Sequence, residues 1–200
     1  MHHIPRNKLK QSTEEVAKFL LGKILRSDLG KKSVSGRIVE TEAYLPSRDS
    51  ACHANKYRTR RTEVMFGEAG TAYVYPIHAK HCFNIVTEQL GKGCAVLIRA
   101  LEPITGIETM QARRNLDDIK RLTTGPGCLC QALGIDKNQT GIDLCDEQSP
   151  VRICDPAEEL EFQIGTSVRI GVTSAKKRKL RFFVLGNSFV SGSKKLNTAS

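Results

Sequence analysis

The sequence predicts a single α+β domain built on a curved, largely antiparallel sheet with short helices around it. The length of 200 residues suits one domain, and 40% apolar with 26% charged residues is a globular composition. Strand-like segments outnumber helical ones, and several are close together along the chain. We expect residues 1–192 to form this domain. Residues 193–200 are small and polar, which predicts a flexible C-terminal tail.

Capping and turn residues mark the predicted helices. Residues 12–15 contain a capping box formed by Ser and Glu, which predicts a short helix that ends near Gly22. Residues 105–108 offer a second capping box, of Thr and Glu, and predict a second helix. The turn at residues 125–127 (GPG) leads into a third predicted helix at residues 128–133.

Runs rich in β-branched and aromatic residues mark the predicted strands. The longest covers residues 33–44, where Gly36 allows a bulge or a close approach of another backbone. The further predicted strands cover residues 72–75, 82–87, 95–100, 167–172 and 180–185. Residues 113–124 are polar and are interpreted as a loop.

The charge balance favours a polyanionic partner. Lys and Arg total 31 against 21 acidic residues, which gives a net charge of +10. Eight of the acids lie within residues 136–161, so the rest of the chain is more basic still. The basic residues cluster at residues 56–61, 113–121 and 176–181. Each run alone could be a solvated surface, but three runs together favour nucleic acid.

Composition also bears on location and cofactors. The longest uninterrupted apolar run, residues 94–98, is far shorter than the roughly 20 residues that cross a bilayer. Since the N-terminus also lacks the apolar region of a secretory signal, we expect an intracellular protein, cytoplasmic if bacterial and nuclear if eukaryotic. The seven cysteines lack framework-like spacing, which predicts no structural disulfide. His78, His81 and Cys82 cluster without a C-x-x-C motif, so we expect no metal and no cofactor.

The segment at residues 39–44 (VETEAY) is a candidate for chemistry. On a strand, Glu40, Glu42 and Tyr44 share one face, with neighbours roughly 7 Å apart. Two carboxylates on one face can be a hydrolytic acid/base pair, a divalent-metal site, or glutamates on a wet sheet face. The pattern alone leaves these three alternatives open.

Ordered motifs extend along nearly the whole chain. They are ETEAY at 40–44, ACH at 51–53, RT at 61–62, MF at 65–66, GTAYVY at 70–75, Asn84, VLIRALEP at 96–103, GPGCLCQAL at 125–133, RIGV at 169–172 and RF at 181–182. In these motifs and their spacing the chain resembles the alkyladenine (3-methyladenine) DNA glycosylase family. The resemblance implies hydrolytic removal of alkylated and deaminated purines from DNA, the first step of base excision repair.

The same resemblance implies roles for individual residues. Glu42, and not Glu40, matches the base that activates water, and Arg99 matches the residue that helps hold that water. The residues matching those that line the pocket for the flipped base are Tyr44, His53 and Tyr75. Asn84 matches the residue that excludes the exocyclic amine of guanine.

The resemblance also indicates which residues contact DNA. His78 falls at the position of a wedge that fills the gap left by the flipped nucleotide, although the family often has tyrosine there. Lys80 follows it and could contact a phosphate. The basic run is expected to bind DNA through Arg58, Arg60 and Arg61.

The expected partner is double-stranded DNA containing damaged purines, bound by a monomer. The ETEAY and GTAYVY segments contain no lysine, which predicts a water nucleophile and a monofunctional glycosylase that leaves an abasic site. Two rival interpretations remain open from the sequence. One is a metal-dependent nuclease or glycosidase that uses Glu40 and Glu42 together, and the other is a DNA-binding module without catalysis.

Overall fold

A long strand, β2 (Val34–Tyr44), is the centre of the fold in a computed structural model that describes residues 2–55 and 57–198. One edge of β2 pairs with β5 (Ala95–Thr105) over almost its full length. The other edge is shared by two shorter strands. β1 (Ile24–Ser27) pairs with the first part of β2, and β8 (Arg181–Val184) pairs with residues 40–42.

The sheet continues on both sides of this centre. The hairpin of β3 (Ala72–Ile77) and β4 (Lys80–Val86) extends it beyond β5, and β6 (Val151–Cys154) extends it beyond β1. β7 (Ile164–Ser167) pairs with β8. Within the described residues, every strand pair is antiparallel. The predicted α+β class with a curved antiparallel sheet is confirmed.

Short helices cover the apolar face of the sheet. They are α1 (Thr13–Phe19), α2 (Ile107–Arg114), α3 (Ile119–Leu122) and α4 (Pro126–Leu133). The predicted capping box of α1 is present, with Ser12 and Glu15 bonded reciprocally. Thr41 ties this helix to β2, because its hydroxyl donates to the Ala17 carbonyl oxygen at 2.8 Å. The main core lies between these helices and the sheet.

The close approach expected at Gly36 is present. A Cβ atom added there would lie 2.9 Å from both the Glu102 carbonyl oxygen and the Leu101 Cβ. The pairing of β2 with β5 also shifts register at this residue and again around Glu40. Such irregularities bend a strand, so they help to curve the sheet around its buried face.

Several predicted boundaries are wrong. The strands predicted at 72–75, 82–87 and 95–100 cover Ala72–Ile77, Lys80–Val86 and Ala95–Thr105. The Thr105 capping box does not form, because β5 runs through Thr105 and the cap of α2 is Gly106 with a φ of 74°. The helix predicted at 128–133 begins two residues earlier, at Pro126, since proline is pre-organised for the first helical position. The strand predicted at 167–172 is instead β7, Ile164–Ser167. The residues after it leave the sheet to contact side chains of the candidate site.

Other elements were not anticipated. The short strands β1 and β6 had no prediction, and the polar segment 113–124 contains α3. In the tail, Lys194–Asn197 forms a 3-10 turn, while residues 199 and 200 lie outside the described residues, so the tail's flexibility stays a prediction. Lys56, part of one basic run, also lies outside them. No described helix combines the length and the apolar character needed to cross a membrane.

Candidate active site

A small pocket opens beside the C-terminal end of β2. The space between its lining atoms, together with the part that is open to solvent, is about 250 Å³. It is lined by Tyr44, Ala51, His53, Met65, Tyr73, Tyr75, Asn84 and Ala95. Most of the lining residues therefore come from β2, the loop that follows it, the β3–β4 hairpin and β5.

Three of the four aromatic rings that line this pocket pack against one another. Tyr73 and Tyr75 alternate on β3 and so point to the same face, with ring centroids 5.5 Å apart. His53 packs edge-on against Tyr75 at 4.6 Å, and its Nδ1 lies 3.0 Å from the Tyr73 hydroxyl. Such a group of rings offers both π-faces and a polar edge to a planar aromatic ligand.

The surroundings of these rings keep them uncharged. Desolvation, together with the nearby charge of Arg61, lowers the pKa of His53. Burial raises the pKa of Tyr73 to about 12 and that of Tyr75 higher still. At neutral pH these rings therefore present neutral groups, with a neutral imidazole and two phenol hydroxyls.

Asn84 is held rigidly at the edge of the pocket. It is 4% exposed, and its amide nitrogen donates to the backbone carbonyl oxygens of Tyr73 at 3.0 Å and Cys82 at 3.2 Å. Because both donors are engaged, the side chain cannot rotate away without losing two buried hydrogen bonds. It can therefore act as a fixed steric limit.

Glu42 lies directly behind Tyr44 and is completely buried. The Tyr44 hydroxyl donates to Glu42 Oε2 at 2.8 Å, and the Ile170 backbone N–H donates to Oε1 at 2.8 Å. Arg99 Nη1 lies 3.3 Å from the same Oε1. Three donors thus fix the carboxylate beside the pocket.

Burial is the main influence on the protonation of Glu42. It raises the pKa of Glu42 above the ordinary value, and the neighbouring charge of Glu40 acts in the same direction. Arg99, the Ile170 N–H and the Tyr44 hydroxyl oppose this increase without cancelling it. A carboxylate with a raised pKa that is still supported by donors is suited to accept a proton.

Glu40 has a different environment from Glu42 although both lie on the same face of β2. Arg181 Nε donates to its Oε1 at 2.5 Å, and Arg99 Nε donates to the same atom at 3.2 Å. Ser191 adds its backbone N–H and its hydroxyl, at 2.8 and 2.9 Å. The Glu40 carboxylate is therefore occupied by fixed protein donors, which favours a structural role.

Arg99 connects the two carboxylates. Burial acts to lower the pKa of Arg99, but Glu42 and Glu40 outweigh it and raise the pKa above its usual value. Its Nη1 also donates to the Ile170 carbonyl oxygen at 3.4 Å. Arg99 thus joins β5, β2 and the segment after β7 around the Glu42 carboxylate.

A second buried ion pair supports the pocket from the side. Arg169 donates two hydrogen bonds to Asp49, at 2.6 and 2.7 Å, and a third to the Ala43 carbonyl oxygen at 2.9 Å. Its guanidinium carbon lies 4.6 Å from the centre of the Tyr44 ring. Asp49 in turn accepts the backbone N–H groups of Leu45 and Ala51, so the pair fixes the loop that carries His53.

The sequence assigned no structural role to these supporting residues. Arg181 was counted in the basic run at 176–181, which is wrong for this residue because its side chain is completely buried. Arg169 and Arg181 stand in the RIGV and RF motifs, and an arginine among apolar residues is a signal of a buried ion pair. Asp49 follows ETEAY closely, but its partner is 120 positions away. Ser191 lies beside the segment predicted as a tail, and nothing in its local sequence marks its bonds to Glu40.

The residues predicted to bind DNA lie on the surface around the pocket. His78 occupies the turn of the β3–β4 hairpin, with a φ of 52°, and is exposed. Lys80 is exposed, with its Nζ 3.9 Å from the sulfur of Cys128. Arg58 donates two hydrogen bonds to Glu63, from Nε and Nη2 to the two carboxylate oxygens. Arg60 and Arg61 are exposed on the same loop.

The structure also bears on the cysteines and on metal binding. All seven cysteines are free. Among residues 2–55 and 57–198 there is no group of three or more His, Cys, Asp or Glu side chains placed to hold a metal ion. His78, His81 and Cys82 therefore form no such group.

Comparison with known proteins links this chain to one family. The sequence model of methylpurine-DNA glycosylase matches residues 7–188. A protein of Rhodopirellula baltica is 46% identical over 88% of this chain and 78% of its own length. Proteins of Francisella tularensis and Methanoculleus marisnigri are 44% and 46% identical, over 92% and 91% of this chain and 95% of their own. All three carry the name "putative 3-methyladenine DNA glycosylase".

Proposed function

The chain belongs to the methylpurine-DNA glycosylase family, and from this premise we propose that it is a DNA glycosylase for alkylated bases. Its substrate is duplex DNA that contains an alkylated or deaminated purine. The reaction is hydrolysis of the N-glycosidic bond, which leaves an abasic site. A monomer carries out the reaction inside the cell.

The observation that carries this proposal is the placement of one buried carboxylate behind an aromatic pocket. Glu42 is completely buried, and Tyr44 both lines the pocket and donates to Glu42. A base that enters the pocket would bring its sugar close to this end of β2. Glu42 would then lie close to the glycosidic bond that joins the base to the sugar.

Glu42 acts in two ways in the proposed reaction. Cleavage of the glycosidic bond passes through an oxocarbenium-like state, which a nearby carboxylate stabilises by charge. The same carboxylate accepts a proton from the attacking water, and its raised pKa suits this role. Arg99 holds the carboxylate and the water in place. Water as the nucleophile forms no covalent intermediate, so the enzyme is monofunctional.

The pocket selects damaged bases by its shape and its π-faces. Many alkylated purines are cationic, and stacking a cation on a desolvated aromatic face contributes up to about 2 kcal/mol. Tyr44, Tyr75 and His53 provide the lining, and the His53 imidazole can hydrogen-bond to the base. Asn84, fixed by two bonds to the backbone, excludes the exocyclic amine of guanine.

Access to the base requires that the nucleotide leave the duplex. Extrusion costs a few kcal/mol of stacking and pairing, which the enzyme must offset. His78 at the hairpin turn fills the vacated space in our proposal. Lys80 and the arginines at 58, 60 and 61 bind phosphates beside it.

The test is single-turnover release of base from duplexes with or without one 3-methyladenine, in the presence of EDTA. We expect release from the damaged duplex alone and an abasic product with an intact strand. Borohydride should trap no covalent adduct. Binding without release would support a lesion-binding module instead, and a trapped adduct would contradict the water mechanism.

A further inference from the structure

The loop at residues 171–179 is tied to the candidate active site at both ends. It leaves the site at Ile170, whose N–H donates to Glu42 Oε1 at 2.8 Å. It returns at Leu180, whose carbonyl oxygen accepts from the Ala43 N–H at 2.8 Å. Both anchors lie on the C-terminal part of β2. The loop therefore emerges beside Glu42 and the aromatic pocket.

The middle of this loop is strongly basic. Residues 176–179 have the sequence KKRK, and Lys176, Lys177 and Lys179 are exposed. Arg178 donates from Nη1 to the Arg48 carbonyl oxygen at 2.8 Å, which joins the loop to the segment that follows β2. Arg48 is itself exposed and stands next to Asp49, one partner of the buried ion pair.

Two exposed lysines of this loop have no ion-pair partner among the residues that the structure describes. Lys176 and Lys177 form no ion pair with any residue in the described part of the chain. Two acids at this end of β2, Glu42 and Asp49, are completely buried and paired with their own arginines. Exposed cations without acidic partners attract a polyanion.

We propose that Arg48 and residues 176–178 form a phosphate-binding surface beside the pocket, additional to the β3–β4 hairpin and the arginines at 58–61. This inference rests on the proposed function, since it takes duplex DNA as the partner. The hairpin and the 171–179 loop come from different parts of the sheet. They would contact the DNA backbone at separate places around the extruded nucleotide.

The test compares the double variant Lys176→Gln/Lys177→Gln with the wild-type protein. Equilibrium binding is measured against salt concentration, with an undamaged duplex and with one that contains 3-methyladenine. Removing one lysine–phosphate interaction reduces the magnitude of the slope of log K against log salt by about 0.9, so we expect a decrease of about 1 to 2 for both duplexes. Affinity at 0.1 M salt should fall about tenfold or more.

A matched control is available in Lys31→Gln/Lys32→Gln. These two lysines are also adjacent and exposed, but they lie in the turn before β2, at the end of this strand opposite the site. The control should keep the wild-type slope. A 176/177 variant that binds like the wild type, or whose affinity falls no further than that of the control, would overturn the inference and would point to another partner for the loop.

Base release separates this inference from the proposed function. At saturating protein, the wild-type protein and the Lys31→Gln/Lys32→Gln control should release 3-methyladenine at the same single-turnover rate. If the wild-type protein releases no base but the salt slope still depends on the two lysines, the proposed function fails and the DNA-binding surface stands. If release is normal and the slope is unchanged, only the surface is refuted.

Discussion

Replacing Tyr44 with phenylalanine removes one hydroxyl group and keeps the ring that lines the pocket. That hydroxyl donates to Glu42 Oε2 at 2.8 Å. Without it, the carboxylate keeps the Ile170 N–H and Arg99 on Oε1. The variant therefore removes one of three identified donors from the proposed base and leaves the others in place.

The change in the pKa of Glu42 depends on how much more strongly the Tyr44 hydroxyl binds the ionised carboxylate than the protonated carboxyl group. A hydrogen bond to a charged group is worth about 1.5–3 kcal/mol, against about 0.5–1.5 for a neutral pair. The difference of about 1–1.5 kcal/mol favours the carboxylate and corresponds to about one pKa unit. Since burial already raises the pKa of Glu42, Tyr44→Phe should raise it by about one unit more.

The assay is the single-turnover rate of base release as a function of pH. Because release needs deprotonated Glu42, the rate falls as the pH is lowered through the pKa of Glu42. In Tyr44→Phe this decrease should begin about one pH unit higher than in the wild-type protein. Tyr73→Phe is the matched control, because its hydroxyl contacts His53 and not Glu42. An unmoved acidic limb in Tyr44→Phe, or an equal shift in Tyr73→Phe, would refute the reasoning.

Two further predictions concern stability and substrate preference. Asp49→Asn leaves Arg169 buried without its counter-ion and should lower the free energy of unfolding by about 3–5 kcal/mol at pH 7, measured with denaturant. Burial acts to raise the pKa of Asp49, but Arg169 and the Leu45 and Ala51 N–H groups hold it below the usual value. The deficit should therefore shrink as pH falls through the pKa of folded Asp49, and a constant deficit would argue against the ion pair. Hypoxanthine, which is neutral, should be released more slowly than 3-methyladenine, and equal single-turnover rates would contradict selection by the π-faces.

Local patterns in the sequence anticipated the central part of the site. Alternation along β2 placed Glu40, Glu42 and Tyr44 on one face, and the structure joins both carboxylates to Arg99. Gly36 predicts a bulge or a close approach of another backbone, and the sheet has both a register shift and a close approach there. These features depend on residues within one strand and its neighbour. The alternation of side chains along a strand is therefore enough to predict them.

Features that depend on distant contacts were not predictable in this way. Arg181 and Ser191 reach Glu40 from 141 and 151 positions away, and no local pattern indicates either bond. β1 and β6 have four residues each, too few to show alternation clearly, and their pairing with the rest of the sheet makes them strands. The Thr105 capping box failed because pairing with β2 carries β5 through that residue.

The most direct test of the central claim is single-turnover release of 3-methyladenine by Glu42→Gln. Glutamine keeps the size of the side chain but accepts no proton, and the loss of a general base costs about 100-fold or more. We predict a decrease of at least about that size, with folding and binding to the damaged duplex retained. Release at the wild-type rate by a folded Glu42→Gln protein would contradict the assignment of Glu42 as the catalytic base.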